Sequence, residues 1–123
     1  MIIDLHSATN LHADILSDLA AALAGSLGLS PTANIDPERR YPSMFEPIHG
    51  SAFDIMGQGL ANPIGTFWSC VMLLEHLGEP AAAQRLMAAI EAVTANPALH
   101  TRDLGGTART ADVTRAVCEH LGR

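Results

Sequence analysis

The densest chemistry in the sequence lies between residues 49 and 63. His49-Gly50-Ser51-Ala52-Phe53-Asp54 sets a ring nitrogen, small residues and a carboxylate side by side. Gly57 and Gly59 follow, and Asn62-Pro63 closes the stretch. Small residues let backbone come close to a flat polar ligand, and a carboxylate among them can accept hydrogen bonds from ribose hydroxyls. The stretch is not G-x-G-x-x-G, so the common dinucleotide fingerprint is absent. On residue types alone, a proline- and glycine-rich surface connection accounts for it as well.

A second set is Asp14 and Asp18, four apart in a helical pattern. That spacing puts both carboxylates on one face, with Cβ atoms about 5–6 Å apart. Like charges so placed repel, and no Lys or Arg precedes Arg39 to offset them. A divalent cation held by oxygen ligands, Mg²⁺ or Mn²⁺, would do so. A solvated helix face explains the pair equally well. His12, beside them, reads as a ring filling an aromatic-sized site. His6, His76, His100 and His120 share no useful spacing and read as structural or exposed. Arg39 and Arg40 follow Asp36 and Glu38, and local ion pairing on a turn is the default.

The elements that must position these residues follow from periodicity and punctuation. Ile2 to Ala8 reads as a short strand. Asn10 offers an N-cap for a helix from Leu11 to about Leu27, with Gly28 at C′. From Leu19 to Leu29 only Ser26 is polar, so this helix belongs in a core or an oligomer interface. Ser30 to Ile35 is extended, and Asp36-Pro37-Glu38-Arg39 is a turn by its chemistry. Ser43 to His49 is extended but holds Pro47, which rules out a central strand. Gly50 to Ala61 is a loop with one helical turn at Phe53 to Met56. Asn62-Pro63 opens a helix that ends at Gly78. Pro80 opens the next, to about Ala95, with Leu86, Ile90 and Val93 on one face. Asn96-Pro97 breaks it, Gly105-Gly106 turns, and Thr110 caps a last helix ending before Gly122. No internal repeat or low-complexity linker appears. Two or three short strands cannot cover these helices, so the sheet is expected to be completed by sequence outside the chain.

Composition bounds the partners. The chain has 123 residues, 48% hydrophobic and 16% charged, a net charge of −6 and no lysine. Nucleic acids and anionic membranes need clustered Lys and Arg, so both are excluded as partners. Cys70 and Cys118 form no C-x-x-C motif and read as free thiols of a reducing, cytoplasmic compartment. The start, Met1-Ile2-Ile3-Asp4, lacks the basic and apolar regions of a signal peptide. Leu19 to Leu29 is too short to span a bilayer.

With these residues on the page, a resemblance emerges. Asn10-Leu11-His12-Ala13-Asp14-Ile15-Leu16-Ser17-Asp18 resembles the metal-binding helix of the NAD(P)-dependent β-decarboxylating dehydrogenases, the isocitrate/isopropylmalate dehydrogenase family. Phe45-Glu46-Pro47-Ile48-His49-Gly50-Ser51-Ala52 and Gly57-Gln58-Gly59-Leu60-Ala61-Asn62-Pro63 resemble its adenosine-binding loop. The order and spacing of the two motifs are the family's. The likeness runs on through Glu75-His76-Leu77-Gly78 to Gly105-Gly106-Thr107. Asn34-Ile35-Asp36-Pro37-Glu38-Arg39-Arg40 and Ser51-Ala52-Phe53-Asp54 look most like the tartrate/D-malate branch. Phe53 departs from the proline usual in the wider family.

The resemblance implies an α/β class, a helix-rich C-terminal third of an isopropylmalate-dehydrogenase-like fold with a few short strands. Residues 1–29 would form the strand and the metal-binding and dimer helix. Residues 30–123 would form the adenosine-binding loop and the C-terminal helices. Asp14 and Asp18 would bind Mg²⁺ or Mn²⁺ and, through it, the hydroxyl and carboxylate of a small 2-hydroxy acid. Glu46 would lie near the nicotinamide end of NAD. His49, Gly50, Ser51, Ala52 and Asn62 would surround adenine. Asp54 would accept from the ribose hydroxyls and repel a 2′-phosphate, favouring NAD over NADP.

The family's tyrosine and lysine for proton transfer, and its substrate-gripping arginines, belong to the half that precedes this stretch. Tyr41 lies in the wrong segment to substitute. No residue of this chain is therefore expected to be catalytic. The expected activity is oxidative decarboxylation by a larger enzyme, a homo-oligomer or a chain completed by an N-terminal half. The alternative is a non-catalytic cofactor- or metal-binding subunit that completes a site with another polypeptide.

Overall fold

The computed structural model describes residues 10–122, with side chains from residue 11. The strand expected over Ile2 to Ala8 lies outside the described residues, as does the side chain of Asn10. Helix α1 covers Asn10–Ala24. It ends three residues before the expected Leu27 because Gly25 takes φ +110, a left-handed conformation that closes a helix at little cost only for glycine. Leu27–Leu29 is instead a separate 3₁₀ turn, capped by Ser26 Oγ, which accepts from Gly28 N–H at 2.9 Å.

Two short strands follow, β1 (Pro31–Asn34) and β2 (Met44–Pro47). They pair antiparallel with Thr32 opposite Glu46 and Ala33 opposite Phe45. Between them the Asp36 carboxylate accepts backbone N–H groups from Tyr41, Arg40 and Glu38. The Tyr41 bond foremost, against the opposing effect of desolvation and with the Arg40 and Glu38 bonds added, holds its acid below the usual range. Of the two arginines expected to pair locally, only Arg40 does, with Glu38. Arg39 reaches across to donate to the His76 carbonyl at the end of the next helix.

Three helices complete the described fold: α2 (Ile64–His76), α3 (Pro80–Thr94) and α4 (Thr110–Leu121). Gly78, at φ +83, terminates α2 as its position in the sequence predicts. Each helix contributes an apolar stripe to one core. Ile64 and Val71 come from α2, Leu86, Ile90 and Val93 from α3, and Val113 and Val117 from α4. The i, i+4 spacing within α3 and α4 aligns these side chains on one face. Thr110 is the first residue of α4 rather than its cap. Asp112, two residues into the helix, accepts from Arg109 N–H instead.

Helix α1 stands apart from this core. Ala21 is buried, while Leu11, Ile15, Leu16, Leu19 and Leu23 are all more than half exposed. The helix expected to lie in a core or an oligomer interface thus leaves most of its large apolar side chains uncovered by the described residues. Cys70 and Cys118 are exposed and unpaired. No described helix is long and apolar enough to cross a membrane.

Candidate functional site

The loop from His49 to Asn62 bends around a cleft of about 970 Å³. Its turn is built from short-range bonds: Ile55 N–H donates to Ala52 O, and Gln58 N–H to Ile55 O. The Gln58 side chain folds back and donates to the Asp54 carbonyl at 2.7 Å, which sets the loop's curvature at the acid. Ala52 takes φ +42. An alanine in this region costs on the order of 1–2 kcal/mol, so the surrounding bonds must over-determine the bend.

The far end of the loop is clamped by α4. Arg109 Nη1 donates to the Gln58 carbonyl at 3.0 Å, Thr110 N–H to Gly59 O at 3.0 Å, and the Thr110 hydroxyl to Ala61 O. Asn62 then does two jobs. Its Oδ1 accepts from Ile64 N–H at 3.1 Å, capping α2, and its Nδ2 donates to Asp103 Oδ2 at 3.0 Å. The expected side-chain bond at the helix start is present, but Pro63 takes the cap position and Asn62 lies one residue before it, rather than Pro63 being the first helical residue.

His49, Gly50, Ser51, Ala52, Asp54 and Asn62 all line this one cleft. Glu46 does not; it lies exposed on β2, opposite Thr32. Asp14 and Asp18 sit exposed on α1, well before the 26–28 segment that reaches the cleft wall. Among the described residues no group of three or more His, Cys, Asp or Glu gathers around a common point.

The sequence reading missed the opposite wall. Ser26, Gly28, Arg102, Asp103 and Thr110 also face the cleft. Asp103 is the centre of that wall. Its Oδ2 receives Ser26 Oγ and Asn62 Nδ2, and its Oδ1 receives the Thr101 hydroxyl. Partial burial pushes its acid up, but the Ser26, Thr101 and Asn62 donors and its own backbone N–H outweigh this and hold it below the usual carboxylate range. The only hint of Asp103 in the sequence was its place just before Gly105-Gly106.

Crowding fixes this wall. A Cβ on Gly28 would come within 2.9 Å of Asn62 Cβ and 3.0 Å of Asp103 Oδ2, and one on Gly65 within 2.9 Å of the Gly28 carbonyl. The start of α2 thus lies directly against the chain leaving α1. The result is an open cleft lined by glycines, with the Asp54 carboxylate and the Arg102 cation on it, a lining suited to a nucleoside with a charged tail.

Comparison with known proteins places this arrangement. The model of a family described as isocitrate/isopropylmalate dehydrogenase matches residues 2–118. A probable tartrate dehydrogenase/decarboxylase of Agrobacterium vitis is 70% identical over 119 residues, covering 97% of this chain and 33% of its own length. The D-malate dehydrogenase [decarboxylating] of Escherichia coli K12 is 46% identical, covering 98% of this chain and 34% of its own length. Among solved structures, an isocitrate dehydrogenase from Methylococcus capsulatus superposes with a TM-score of 0.86 at 43% identity, over 94% of this chain and 34% of that one. The chain spans about a third of the length of the curated relatives it matches.

Proposed function

This chain belongs to the isocitrate/isopropylmalate dehydrogenase family, and on that premise we propose that its cleft is the adenosine half of a NAD site. The larger enzyme that it serves would oxidise and decarboxylate a small 2-hydroxy acid of the tartrate or D-malate kind. The observation that carries the reading is the convergence of His49, Gly50, Ser51, Ala52, Asp54 and Asn62 on one cleft. The names of the relatives, a tartrate dehydrogenase/decarboxylase and a D-malate dehydrogenase [decarboxylating], support the substrate class.

In this reading the chain's residues bind and orient. The backbone of Gly50 to Ala52 lies close against the base, and Asp54 accepts from the ribose hydroxyls. The side-chain amide of Asn62 is committed to Ile64 and Asp103, so Asn62 shapes the wall through its backbone. Glu46, on the strand leading into the loop and outside the cleft, would lie toward the nicotinamide end. Bound NAD would supply the hydride acceptor.

Asp14 and Asp18 fit a hard divalent cation in kind, since both offer carboxylate oxygens from one helix face. Two carboxylates fill only part of such a shell, so the remaining ligands of a Mg²⁺ or Mn²⁺ would come from outside the described residues and from substrate. Bound there, the ion would act as a Lewis acid at the substrate hydroxyl and carboxylate.

The test uses the adenosine half alone. AMP titrated into the chain should move the amide signals of residues 49–62. Asp54→Lys should then weaken AMP and improve adenosine 2′,5′-bisphosphate. The ratio of the two affinities should shift at least tenfold, about 1.4 kcal/mol. An unchanged ratio in a folded variant removes Asp54 from the ribose, and the adenosine assignment of the loop with it.

The bare apolar surface of α1 supports a second part of the proposal, that the chain works as an oligomer or against a completing half. Five leucine and isoleucine side chains of this helix are more than half exposed, and an exposed patch of that kind drives association. Sedimentation at micromolar concentration should show dimers or larger species. A stable monomer would count against an interface on α1.

A further inference from the structure

Asp103 collects donors from three places in the chain. Ser26 comes from the segment leaving α1, Asn62 from the start of α2, and Thr101 from its own turn. Ser26 lies 77 positions away in sequence and Asn62 41. Two of the three donor side chains are also tied to backbone. Ser26 Oγ also accepts from Gly28 N–H, and Asn62 Oδ1 from Ile64 N–H. Ser26, Asn62 and Thr101 are all less than 9% exposed, whereas Asp103 is itself exposed and lines the cleft.

We infer that Asp103 is the positioning residue of the adenosine cleft: through Asn62 and Ser26 it fixes the wall at residues 60–62 against the segment at 26–28. This rests on the adenosine reading of the cleft and adds a residue and a role to it. The physical case has three parts. A carboxylate is an acceptor with about four lone-pair sites and no donor, so it can take all three partners at once. Bonds to an ionised acceptor are roughly twice as strong as neutral ones, so a single side chain can hold two segments. The close approach at Gly28, where an added Cβ would fall within 3.0 Å of both Asn62 Cβ and Asp103 Oδ2, puts the 26–28 segment directly against both residues. Loss of the carboxylate releases the Asn62 amide, which then turns to solvent or into the cleft and takes the cap of α2 with it.

The test reads position and binding separately. In Asp103→Ala, the Asn62 side-chain amide signals and the Ile64 backbone amide should shift, while the Val93 and Val117 amides in the helical core stay in place. Affinity for AMP should fall at least tenfold. Asp103→Asn keeps the shape and one acceptor oxygen, so it should fall between wild type and alanine in both readouts. If the alanine variant does not fold, the asparagine variant decides: wild-type Asn62 signals or wild-type AMP affinity would each overturn the proposal.

Lost affinity with unmoved Asn62 signals would make Asp103 a direct ligand contact and overturn the positioning role. If wild-type chain shows no AMP-induced shifts at residues 49–62, the adenosine reading fails. The positioning claim is then judged by the Asn62 and Ile64 signals alone: a shift in Asp103→Ala keeps it, and no shift removes it.

Discussion

Given NAD, Mn²⁺ and tartrate, D-malate or 3-isopropylmalate, the chain alone should produce no NADH. The charged and titratable groups that face the cleft are His49, Asp54, Arg102 and Asp103. Asp103 is occupied by its three donors, and Asp54 is assigned to binding. No lysine exists anywhere in the chain. General acid–base groups contribute about 10²–10⁴-fold each; with more than one of them supplied by another polypeptide, as the proposed division of labour requires, the rate of this chain alone falls below detection. The check is NADH absorbance under saturating substrate. Turnover that survives removal of host dehydrogenases, and that Asp54→Lys diminishes, would show that the chain holds its own proton-transfer groups. Restored turnover on adding a polypeptide bearing those groups would agree with the proposed division of labour.

The second large effect concerns the turn that carries Asp103. A Cβ on Gly106 would lie 1.9 Å from the His100 carbonyl oxygen and 2.6 Å from His100 Cβ. Backbone on both sides is committed: Gly106 N–H donates to Thr101 O, and Ala108 N–H to His100 O, both at 3.0 Å. Gly106→Ala therefore forces the 100–108 segment apart and should destabilise the chain by more than about 4 kcal/mol, in the exceptional class of single substitutions. Gly105→Ala is the control. Its Cβ would meet open space and suffer only from φ +78, a cost of roughly 1–2 kcal/mol. Urea unfolding of the two variants separates them. Equal stability losses would mean that the 100–108 backbone yields more readily than its bonds imply.

What the sequence made legible was whatever a few adjacent residues decide. Asn62-Pro63 announced a capped helix start, Gly78 an end, and Leu86, Ile90 and Val93 a buried stripe, because capping and periodicity act within one or two turns. The loop residues of the cleft were legible for the same reason: glycines and a carboxylate stood together. The end of α1 was misjudged, since an apolar run gives no sign of which glycine will take the left-handed turn. The wall opposite the loop was invisible. Ser26, Asn62 and Asp103 are brought together only by the packing of α2 against the chain leaving α1, and nothing local in any of the three marks the others. Arg39 shows the same limit on a smaller scale, because its partner at His76 is a helix end rather than a neighbouring acid.

That long-range joint also sets a clock. Helices α2 and α3 are joined by residues 77–79 alone, and α4 follows α3 after residues 95–109, so the three can pack in chain order. The cleft needs residue 26 to meet residue 103, and closing so long a loop is slow and comes at an entropic cost. The cleft proposed to take adenosine is thus among the last features a nascent chain acquires. Its ligand binds only chains that have finished, and by mass action it shifts the population toward them.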